Sequence, residues 1–327
     1  MTILVTGSAG HLGEGIMRAL RADGVAALGL DVNASPYTDA VGSIVDPGFV
    51  RECMSGVDAV LHTATLHKPH VVTHRRRQFV DTNVVGTLNL LESAVANSVK
   101  SFVFTSTTSA FGRALSPDSG EPAAWVTEEL VPRPKNIYGT TKTAAEDLCE
   151  LFHLREQLPC LVLRTSRFFP EEDDRREVRE SYEDANAKAN EFLYRRADLE
   201  DIVAAHRLAI ERAPELGFRK FIVSATTPFQ RGDVDDLRRD AAAVVERYFP
   251  EFPGVYAERG WKMFPEIERV YSNERARSEL GWRPRFDFGE ILRRVQAGEP
   301  LQSELARAVG AKGYHSEKFD EGPYPVE

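Results

Sequence analysis

The chain has 327 residues, of which 42% are hydrophobic and 28% are charged, and these proportions are those of a globular protein that can bury a sizeable core. Its formal net charge of -9 argues against a nucleic-acid-binding surface. No stretch reaches the roughly 18 uninterrupted apolar residues of a membrane helix, and the three widely spaced cysteines fit neither a disulfide framework nor a zinc site, so we expect a cytoplasmic protein without a membrane or nucleic-acid partner.

The N-terminus predicts a dinucleotide-binding turn. An apolar strand over 2–6 is followed by three glycines and an amphipathic helix over 11–23. Gly7 allows a tight turn, Gly10 lets a phosphate approach the backbone, and Gly13 lets the helix pack closely against the strand. Backbone N–H groups at the start of the helix can hold a pyrophosphate. The residues expected at the cofactor in this turn are Gly7, Gly10, His11, Leu12 and Gly13.

The second predicted strand, over 27–31, ends in Asp31, eighteen residues after Gly13. A carboxylate at this place can accept hydrogen bonds from an adenosine ribose and repels a 2′-phosphate. The sequence therefore predicts NAD, rather than NADP, as the cofactor.

Strand-like apolar runs alternate with helical patterns through the first two thirds of the chain. The predicted strands are 2–6, 27–31, 42–45, 57–64, 101–106, 160–165 and 220–225, and the predicted helices are 11–23, 47–55, 75–97, 137–155 and 199–212. Such alternation predicts an α/β protein with a doubly wound parallel sheet. Because ligands bind at the carboxyl ends of such strands, we expect the site near the loops after Ala64, Ser106 and Thr165.

The alternation is interrupted at the charged run 169–177 and again after Ser224. Further helical patterns follow near 233–248, 273–280 and 287–297. We expect these parts to form a smaller C-terminal substrate domain. The expected division assigns 1–165 and 196–226 to a nucleotide-binding domain, and 166–195 and 227–327 to the substrate-binding domain and tail. Whether the tail over 310–327 docks on the body or stays mobile is left open.

Tyr138 and Lys142 are four residues apart in a predicted helix, so the phenol and the ammonium share one face. A lysine in this position can lower the pKa of the phenol and make it a proton acceptor near neutral pH. The pair therefore indicates proton transfer beside the cofactor.

These features resemble, in their order along the chain, the extended short-chain dehydrogenase/reductase family, in its NAD-dependent sugar epimerase/dehydratase branch. The motifs that carry the resemblance are Thr6-Gly7-xx-Gly10-xx-Gly13, the run 57–64, Asn83-Val84-Val85-Gly86-Thr87, the run 102–107 with Ala110-Phe111-Gly112, Tyr138-xxx-Lys142 and the stretch 271–284. The resemblance implies a Rossmann-type doubly wound sheet with a smaller C-terminal substrate domain, and NAD as cofactor.

The resemblance also implies roles for single residues. Tyr138 acts as general base or acid at a substrate hydroxyl, Lys142 holds the nicotinamide ribose, and Thr107 hydrogen-bonds the reacting oxygen. Ser106 or Thr108 takes the place of Thr107 if the register of the loop slips.

Three further residues are expected near the cofactor from the same resemblance. Ala64 ends the strand that runs alongside it, and Asn83 braces the site. Asp46 either contacts the adenine or caps the helix that begins at Pro47, and both alternatives stay open.

Two departures from the family pattern bear on the reaction. Sugar dehydratases follow the catalytic threonine with Asp and Glu, whereas Thr108 and Ser109 stand here, so we do not expect dehydration. The segment before Arg195 also lacks the glycine-rich strand with which such enzymes grip a nucleotide.

Cationic side chains are nevertheless candidates for substrate contacts. Arg195 or Arg196 either meets a diphosphate or carboxylate or lies on the surface. Lys262 falls near the place of a diphosphate-binding arginine, where a lysine is a poorer bidentate clamp. The expected substrate contacts, two of them uncharged, are His67, Thr108, Arg167, Arg195 and Lys262.

Four histidines fall within thirteen residues, at positions 62, 67, 70 and 74. Their loop should lie beside the nicotinamide, so His67 is expected either to contact the substrate or to serve the loop structure. No metal is expected, because no carboxylate or cysteine joins the cluster in the sequence.

The expected chemistry is hydride transfer at a carbinol carbon of a small sugar-like substrate. The first hypothesis is an epimerase of a sugar or sugar nucleotide that does not consume NAD. The alternative is a dehydrogenase or reductase of a smaller sugar, sugar acid or ketone, and a further alternative is a non-catalytic NAD-binding protein. Similar enzymes form homodimers through the helices that match 75–97 and 137–155, so a homodimer is expected.

Overall fold

The computed structural model of the protein describes residues 1–313 and Phe319, so most of the predicted tail over 310–327 lies outside the described residues. The strands are β1 (Thr2–Thr6), β2 (Ala26–Asp31), β3 (Ala40–Val41), β4 (Ala59–His62), β5 (Ser101–Thr107), β6 (Ala124–Val126), β7 (Cys160–Thr165), β8 (Phe218–Val223) and β9 (Arg269–Tyr271).

The helices follow the same numbering along the chain. They are α1 (His11–Ala22), α2 (Pro47–Cys53), α3 (Arg76–Val80), α4 (Gly86–Ala96), α5 (Ile137–Glu156), α6 (Arg176–Ser181), α7 (Asp184–Glu191), α8 (Leu199–Leu216), α9 (Val234–Leu237), α10 (Ala241–Tyr248), α11 (Phe252–Arg259), α12 (Phe288–Ala297) and α13 (Glu304–Val309).

Seven strands form one parallel sheet in the order β3-β2-β1-β4-β5-β7-β8. Strands β2 and β3 are added on one side of β1, and β4 and the later strands are added on the other side of β1. This reversal opens a crevice at the carboxyl ends of β1 and β4, where ligands bind in such sheets. The predicted Rossmann-type parallel sheet is confirmed.

Apolar side chains alternate between the two faces of the sheet, as the two-residue period of a strand requires. On one face Val5 packs with Ile16 of α1 and Ile202 of α8 in a buried core. On the other face Leu4 packs in a second core with side chains from α4 and α5. Helices therefore cover both faces, which explains why the strands read as continuous apolar runs.

A separate apolar core holds the C-terminal part together. It includes Phe192 directly after α7, Phe252 of α11 and Phe288 of α12, packed with many aliphatic side chains. Strands β6 and β9 pair in parallel beside this core. Because β6 comes from the segment 1–165 and β9 from the segment 227–327, the two expected domains share this small sheet.

Several expected boundaries are wrong. The third strand is Ala40–Val41 rather than 42–45, because the chain turns into the crevice at Gly42. The helix expected over 75–97 is divided into α3 and α4 by a π-helical turn at Asp81–Val85. The helix expected over 233–248 breaks before Asp240, whose carboxylate caps α10. The short elements α6, α7, α11, α13, β6 and β9 were not predicted.

A buried ion pair braces the sheet below its carboxyl edge. The guanidinium of Arg164 on β7 contacts Glu146 on α5 at 2.7 Å, and both side chains are almost completely buried. The same carboxylate accepts a 2.5 Å hydrogen bond from the hydroxyl of Ser106 on β5. One carboxylate thus joins α5 to two neighbouring strands, β5 and β7, that lead to the predicted site.

We expect Glu146→Gln to lower the free energy of unfolding by about 3 to 5 kcal/mol, because it leaves the buried Arg164 charge uncompensated. Urea denaturation of the variant and the natural protein measures this difference. Glu150→Gln is a matched control on the same helix, since Glu150 is 45% exposed in its ion pair with Lys220, and we expect a change below about 1 kcal/mol. Equal effects of the two substitutions would contradict a stabilising role of the buried Arg164–Glu146 pair.

Candidate active site

One cleft of about 810 Å³ runs along the carboxyl ends of the sheet. The loops after β1, β4, β5 and β7 supply most of its wall. The predicted residues that line it are Gly7, Gly10, His11, Leu12, Gly13, Asp31, Ala64, His67, Thr107, Thr108, Tyr138, Arg167 and Arg195. The predicted residues that do not line it are Asp46, Asn83, Lys142 and Lys262.

The glycine turn between β1 and α1 fits only glycine at two positions. Gly7 has a φ of +75°, and a Cβ on Gly13 would lie 1.9 Å from the Gly7 carbonyl oxygen. No side chain caps α1 at Gly10, so its first N–H groups are left for another acceptor. This cradle fits the pyrophosphate of a dinucleotide.

Asp31 stands at the end of β2 beside the glycine turn. Its carboxylate accepts hydrogen bonds from the backbone N–H groups of Ala9 at 3.1 Å and Asn33 at 2.9 Å. These bonds fix the carboxylate at the wall of the cleft while leaving acceptor capacity for ribose hydroxyls. The residue therefore fits the adenosine end of NAD.

Tyr138 lies in the first turn of α5, which Asn136 caps by accepting a hydrogen bond from the Gly139 N–H at 3.1 Å. The phenol is 7% exposed. Burial raises the pKa of Tyr138 to about 12, and a hydrogen bond with Thr107 opposes that rise. The phenol and the Thr107 hydroxyl therefore meet at the cleft wall.

Lys142 follows one turn later and is 2% exposed, with its ammonium 4.0 Å from the centre of the Phe104 ring. Burial lowers the pKa of Lys142 to about 7, against the opposing charge of Glu146. The expected lowering of the Tyr138 pKa by Lys142 is not found, because burial of the phenol raises that pKa.

The side chains of Asn83 and Asp46 form hydrogen bonds with other parts of the protein. The Asn83 amide joins the π-helical turn to the backbone of Leu66 at 2.8 Å and to the Thr141 hydroxyl at 3.0 Å. Asp46 caps α2 by accepting hydrogen bonds from the N–H groups of Gly48 and Phe49. Of the two alternatives for Asp46, the helix cap is the one that the geometry supports.

The arginines expected to meet a substrate anion are engaged by carboxylates of the chain itself. Arg167 contacts Asp173 at 3.0 Å, and Arg195 contacts Asp173 at 2.9 Å and Glu191 at 2.6 Å. Arg196 contacts Glu191 at 2.7 Å. Although burial alone raises the pKa of Glu191, Arg195 and Arg196 hold it well below its usual range. These charges are therefore mutually compensated.

Lys262 lies away from the cleft. Its backbone carbonyl accepts hydrogen bonds from Asn186 and Asn190, and its ammonium lies 4.9 Å from the centre of the Tyr182 ring. Lys262, which was expected to bind a diphosphate, thus packs against α7 instead.

His67 lies beside the phenol of Tyr138. Its ring centre is 6.1 Å from that of Tyr138 and 5.8 Å from that of Phe169. Burial, together with His70, lowers the pKa of His67 to about 3, so the imidazole is neutral and can exchange hydrogen bonds with a hydroxyl. Among residues 1–313 no group of three or more His, Cys, Asp or Glu side chains is arranged to hold a metal ion.

His11 was expected at the cofactor, but the sequence did not predict the burial of its imidazole. It is 8% exposed, packs beside Phe168 and Phe169, and both ring nitrogens lack a hydrogen-bond partner. The imidazole borders the cleft and also a smaller cavity of about 230 Å³. The only signal in the sequence was its place directly after Gly10.

A family model described as the NAD dependent epimerase/dehydratase family matches residues 3–217, more than half of the chain. The chain belongs to this family. The membership confirms the resemblance carried by the sequence motifs and NAD as the cofactor.

Curated relatives match about half of this chain. UDP-glucose 4-epimerase 4 of Oryza sativa subsp. japonica is 31% identical over 185 residues, which are 50% of this chain and 48% of the relative. A dTDP-glucose 4,6-dehydratase of Streptomyces griseus is 33% identical over 193 residues, 52% of this chain and 56% of the relative. The chain spans about half the length of the curated relatives it matches.

Solved structures resemble the fold over nearly its full length. A short-chain dehydrogenase/reductase superfamily protein of Agrobacterium tumefaciens with bound NAD has a TM-score of 0.66 at 23% identity, covering 94% of this chain and 97% of that one. A UDP-glucose 4-epimerase of Thermus thermophilus in complex with NAD has a TM-score of 0.60 at 23% identity, covering 90% and 97%. At these identities the likeness concerns the fold.

None of the helices within residues 1–313 is both long enough and apolar enough to cross a bilayer.

The buried imidazole of His11 predicts a pH dependence of stability. Burial and the charge of Lys312 lower the pKa of His11 to about 4, whereas an unfolded histidine is protonated below about 6.5. The unfolded state therefore binds the extra proton between these values, and the folded state loses about 1.4 kcal/mol per pH unit through His11 as the pH falls from 6.5 to 4.

His11→Phe keeps an aromatic ring beside Phe168 and removes this titration. We expect the unfolding free energy of the natural protein, relative to the variant, to be constant above pH 7 and to decline below pH 6. Urea denaturation of both proteins at pH 7.5, 6 and 5 measures the difference. A difference that does not change with pH would contradict the buried, neutral state of His11.

Proposed function

We propose that the protein transfers a hydride between NAD and a carbinol carbon of a sugar-like substrate that carries no nucleotide. The observation that carries the proposal is the meeting of the Tyr138 phenol and the Thr107 hydroxyl at the wall of a cleft whose other end is the glycine cradle. A substrate oxygen that reaches the phenol therefore also reaches a second hydrogen-bonding group.

Tyr138 moves the hydroxyl proton of the substrate, and Thr107 shares the charge that develops on the same oxygen. Bound NAD would supply the hydride acceptor, and the positive charge of its oxidised nicotinamide would lower the pKa of a nearby phenol. Lys142, whose pKa is about 7, is favoured in its charged form once a phenolate forms one turn away, so it supports proton release from Tyr138.

Dehydration has little support in the arrangement of the cleft. The two positions after Thr107 hold Thr108 and Ser109, which line the cleft with hydroxyl groups. Neither hydroxyl has the acidity needed to exchange protons with substrate carbons near neutral pH. Hydride and hydroxyl-proton transfer are the chemistry that the lining residues support.

The compensated arginines favour a substrate without a diphosphate. Arg167 and Arg195 are engaged by Asp173 and Glu191, and Lys262 lies outside the cleft. A ketone that is not tethered by a nucleotide leaves the site after oxidation, which favours a dehydrogenase or reductase of a sugar, a sugar acid or a related ketone.

An epimerase is the second candidate function. Tyr271, the first residue of the stretch that resembles the C-terminal signature of sugar epimerases, lines the cleft. Several curated relatives are named UDP-glucose 4-epimerases. In this reading the ketone stays bound, presents its other face and takes the hydride back.

A substrate screen separates the two candidates. The purified chain is supplied with NAD and with neutral sugars, sugar acids or UDP-sugars, while absorbance at about 340 nm follows NADH and chromatography follows epimers. Net NADH formation with a free sugar or sugar acid supports the dehydrogenase. Epimer formation without net NADH, on UDP-sugars only, would contradict it and support the second candidate.

We expect Tyr138→Phe to lower kcat by at least about 100-fold with whichever substrate is turned over, because the variant lacks the proton carrier. The dissociation constant of NAD, measured by calorimetry, should stay within about threefold. Tyr37→Phe is a matched control, since the Tyr37 ring packs against Arg18 and Arg21 and Tyr37 does not line the cleft, and both quantities should be unchanged. Full turnover by Tyr138→Phe would exclude the mechanism.

We also propose a homodimer in the cytoplasm. Helices α3, α4 and α5 pack together, and they carry exposed apolar side chains at Val80, Leu151 and Leu154, the last 65% exposed. This surface coincides with the helices that the family resemblance assigns to a dimer interface. Cys53, Cys149 and Cys160 are free and buried, which supports a reducing compartment.

We expect light scattering to report twice the mass of one chain, and Leu154→Glu to shift the protein to the mass of one chain, because a carboxylate in an apolar interface is desolvated. Val131→Glu is the control, since Val131 is similarly exposed but lies outside these helices. A dimer that survives Leu154→Glu would place the interface elsewhere.

A further inference from the structure

The C-terminal end of the described chain returns to the cofactor end of the cleft. Helix α13 packs on α1 and α8, with Ala306 and Val309 buried in the same core as Leu12. The helix ends at Gly310, whose φ is +63°, and the chain then reaches the cleft. Lys312 and Gly313 line it together with the glycine turn.

Lys312 is fixed at the first turn of α1 by an ion pair with Glu14. Glu14 is buried and also accepts a 2.8 Å hydrogen bond from Arg18. A carboxylate in the first turn suits the helix dipole, but it repels an anion held at the same helix end. A lysine beside it compensates that repulsion and adds a donor for phosphate oxygens.

His11 gives a second, independent indication of a ligand at this place. Both nitrogens of its ring lack a hydrogen-bond partner although the residue is more than nine-tenths buried and lines the cleft. Buried polar atoms in native proteins nearly always have a partner, so an unsatisfied ring points to a bound polar group.

Other cations of the cleft wall are engaged by carboxylates. Arg167 and Arg195 contact Asp173, and Lys68 contacts Asp174 at 2.7 Å. Lys312 differs because its carboxylate partner belongs to the first turn of the very helix that receives the pyrophosphate.

We propose that Lys312 is a cofactor-binding residue that donates to the pyrophosphate of NAD, and that Glu14 holds it in place. The described end of the chain over 310–313 then contributes to cofactor binding rather than serving the substrate domain alone. The proposal rests on the NAD site described above and does not depend on which sugar is turned over.

The test compares ligands that differ in the pyrophosphate, with binding to the full chain measured by calorimetry. We expect Lys312→Met to weaken NAD and ADP-ribose about tenfold and to leave adenosine unchanged, because adenosine has no phosphate. Raising the salt concentration should reduce the difference between the two proteins. Lys312→Arg should restore most of the affinity.

Two further variants sharpen the test. Lys100→Met removes an exposed lysine that pairs with Asp58, and it should change no affinity. Glu14→Gln removes the carboxylate that holds Lys312, so Lys312→Met should weaken NAD by less in the Glu14→Gln background than in the natural protein. Retained adenosine affinity shows that Lys312→Met is folded at the site.

The proposal is overturned if Lys312→Met binds NAD and ADP-ribose within twofold of the natural protein, or if adenosine is weakened in the same proportion. Absence of NAD binding by the natural protein overturns both this proposal and the proposed function. Absence of sugar turnover counts against the proposed function alone, because binding is measured without substrate.

Discussion

A Cβ on residue 13 would lie 1.9 Å from the carbonyl oxygen of Gly7, and the cofactor end of the molecule depends on this close approach. Because glycine permits it, α1 starts directly at the edge of the sheet and its first turn lines the cleft. The same placement puts His11 beside Phe168 and brings Glu14 to Lys312. One missing methyl group therefore positions both the phosphate cradle and the charges around it.

The reacting end depends on a second constraint, the burial of charge below the sheet edge. Glu146 joins α5 to β5 through Ser106 and to β7 through Arg164. Thr107 directly follows Ser106, and Tyr138 lies two helical turns before Glu146, so these bonds set the distance between the hydroxyl and the phenol. The surroundings that make this geometry rigid also bury Lys142, which explains its pKa of about 7.

Features that depend on neighbours in the sequence were predictable. The glycine turn, Asp31 at the end of β2 and the helix bearing Tyr138 are local patterns, and each lies where the sequence places it. Features set by distant contacts were not. The third strand was misplaced because only two residues of that segment pair with β2.

The charge states and ion pairs of the cleft were likewise not predictable from local sequence patterns. A spacing of four residues correctly puts Tyr138 and Lys142 on one helix face, but it contains no information on burial, and burial decides both pKa values. Likewise, the sequence places Glu191 four residues before Arg195, but it does not show that Asp173, 22 residues before Arg195, joins the same buried group of charges.

The compensated arginines constrain the substrate more than any single motif does. Freeing Arg195 for a diphosphate would leave Glu191 and Asp173 buried with less compensation, and removing one partner from a buried pair costs about 3 to 5 kcal/mol. A new charge-assisted hydrogen bond returns about 1.5 to 3 kcal/mol, so a diphosphate would need about one to three such bonds only to offset the loss. A sugar hydroxyl can bond to the wall of the cleft without displacing any carboxylate, and this difference supports the proposal of a substrate without a nucleotide.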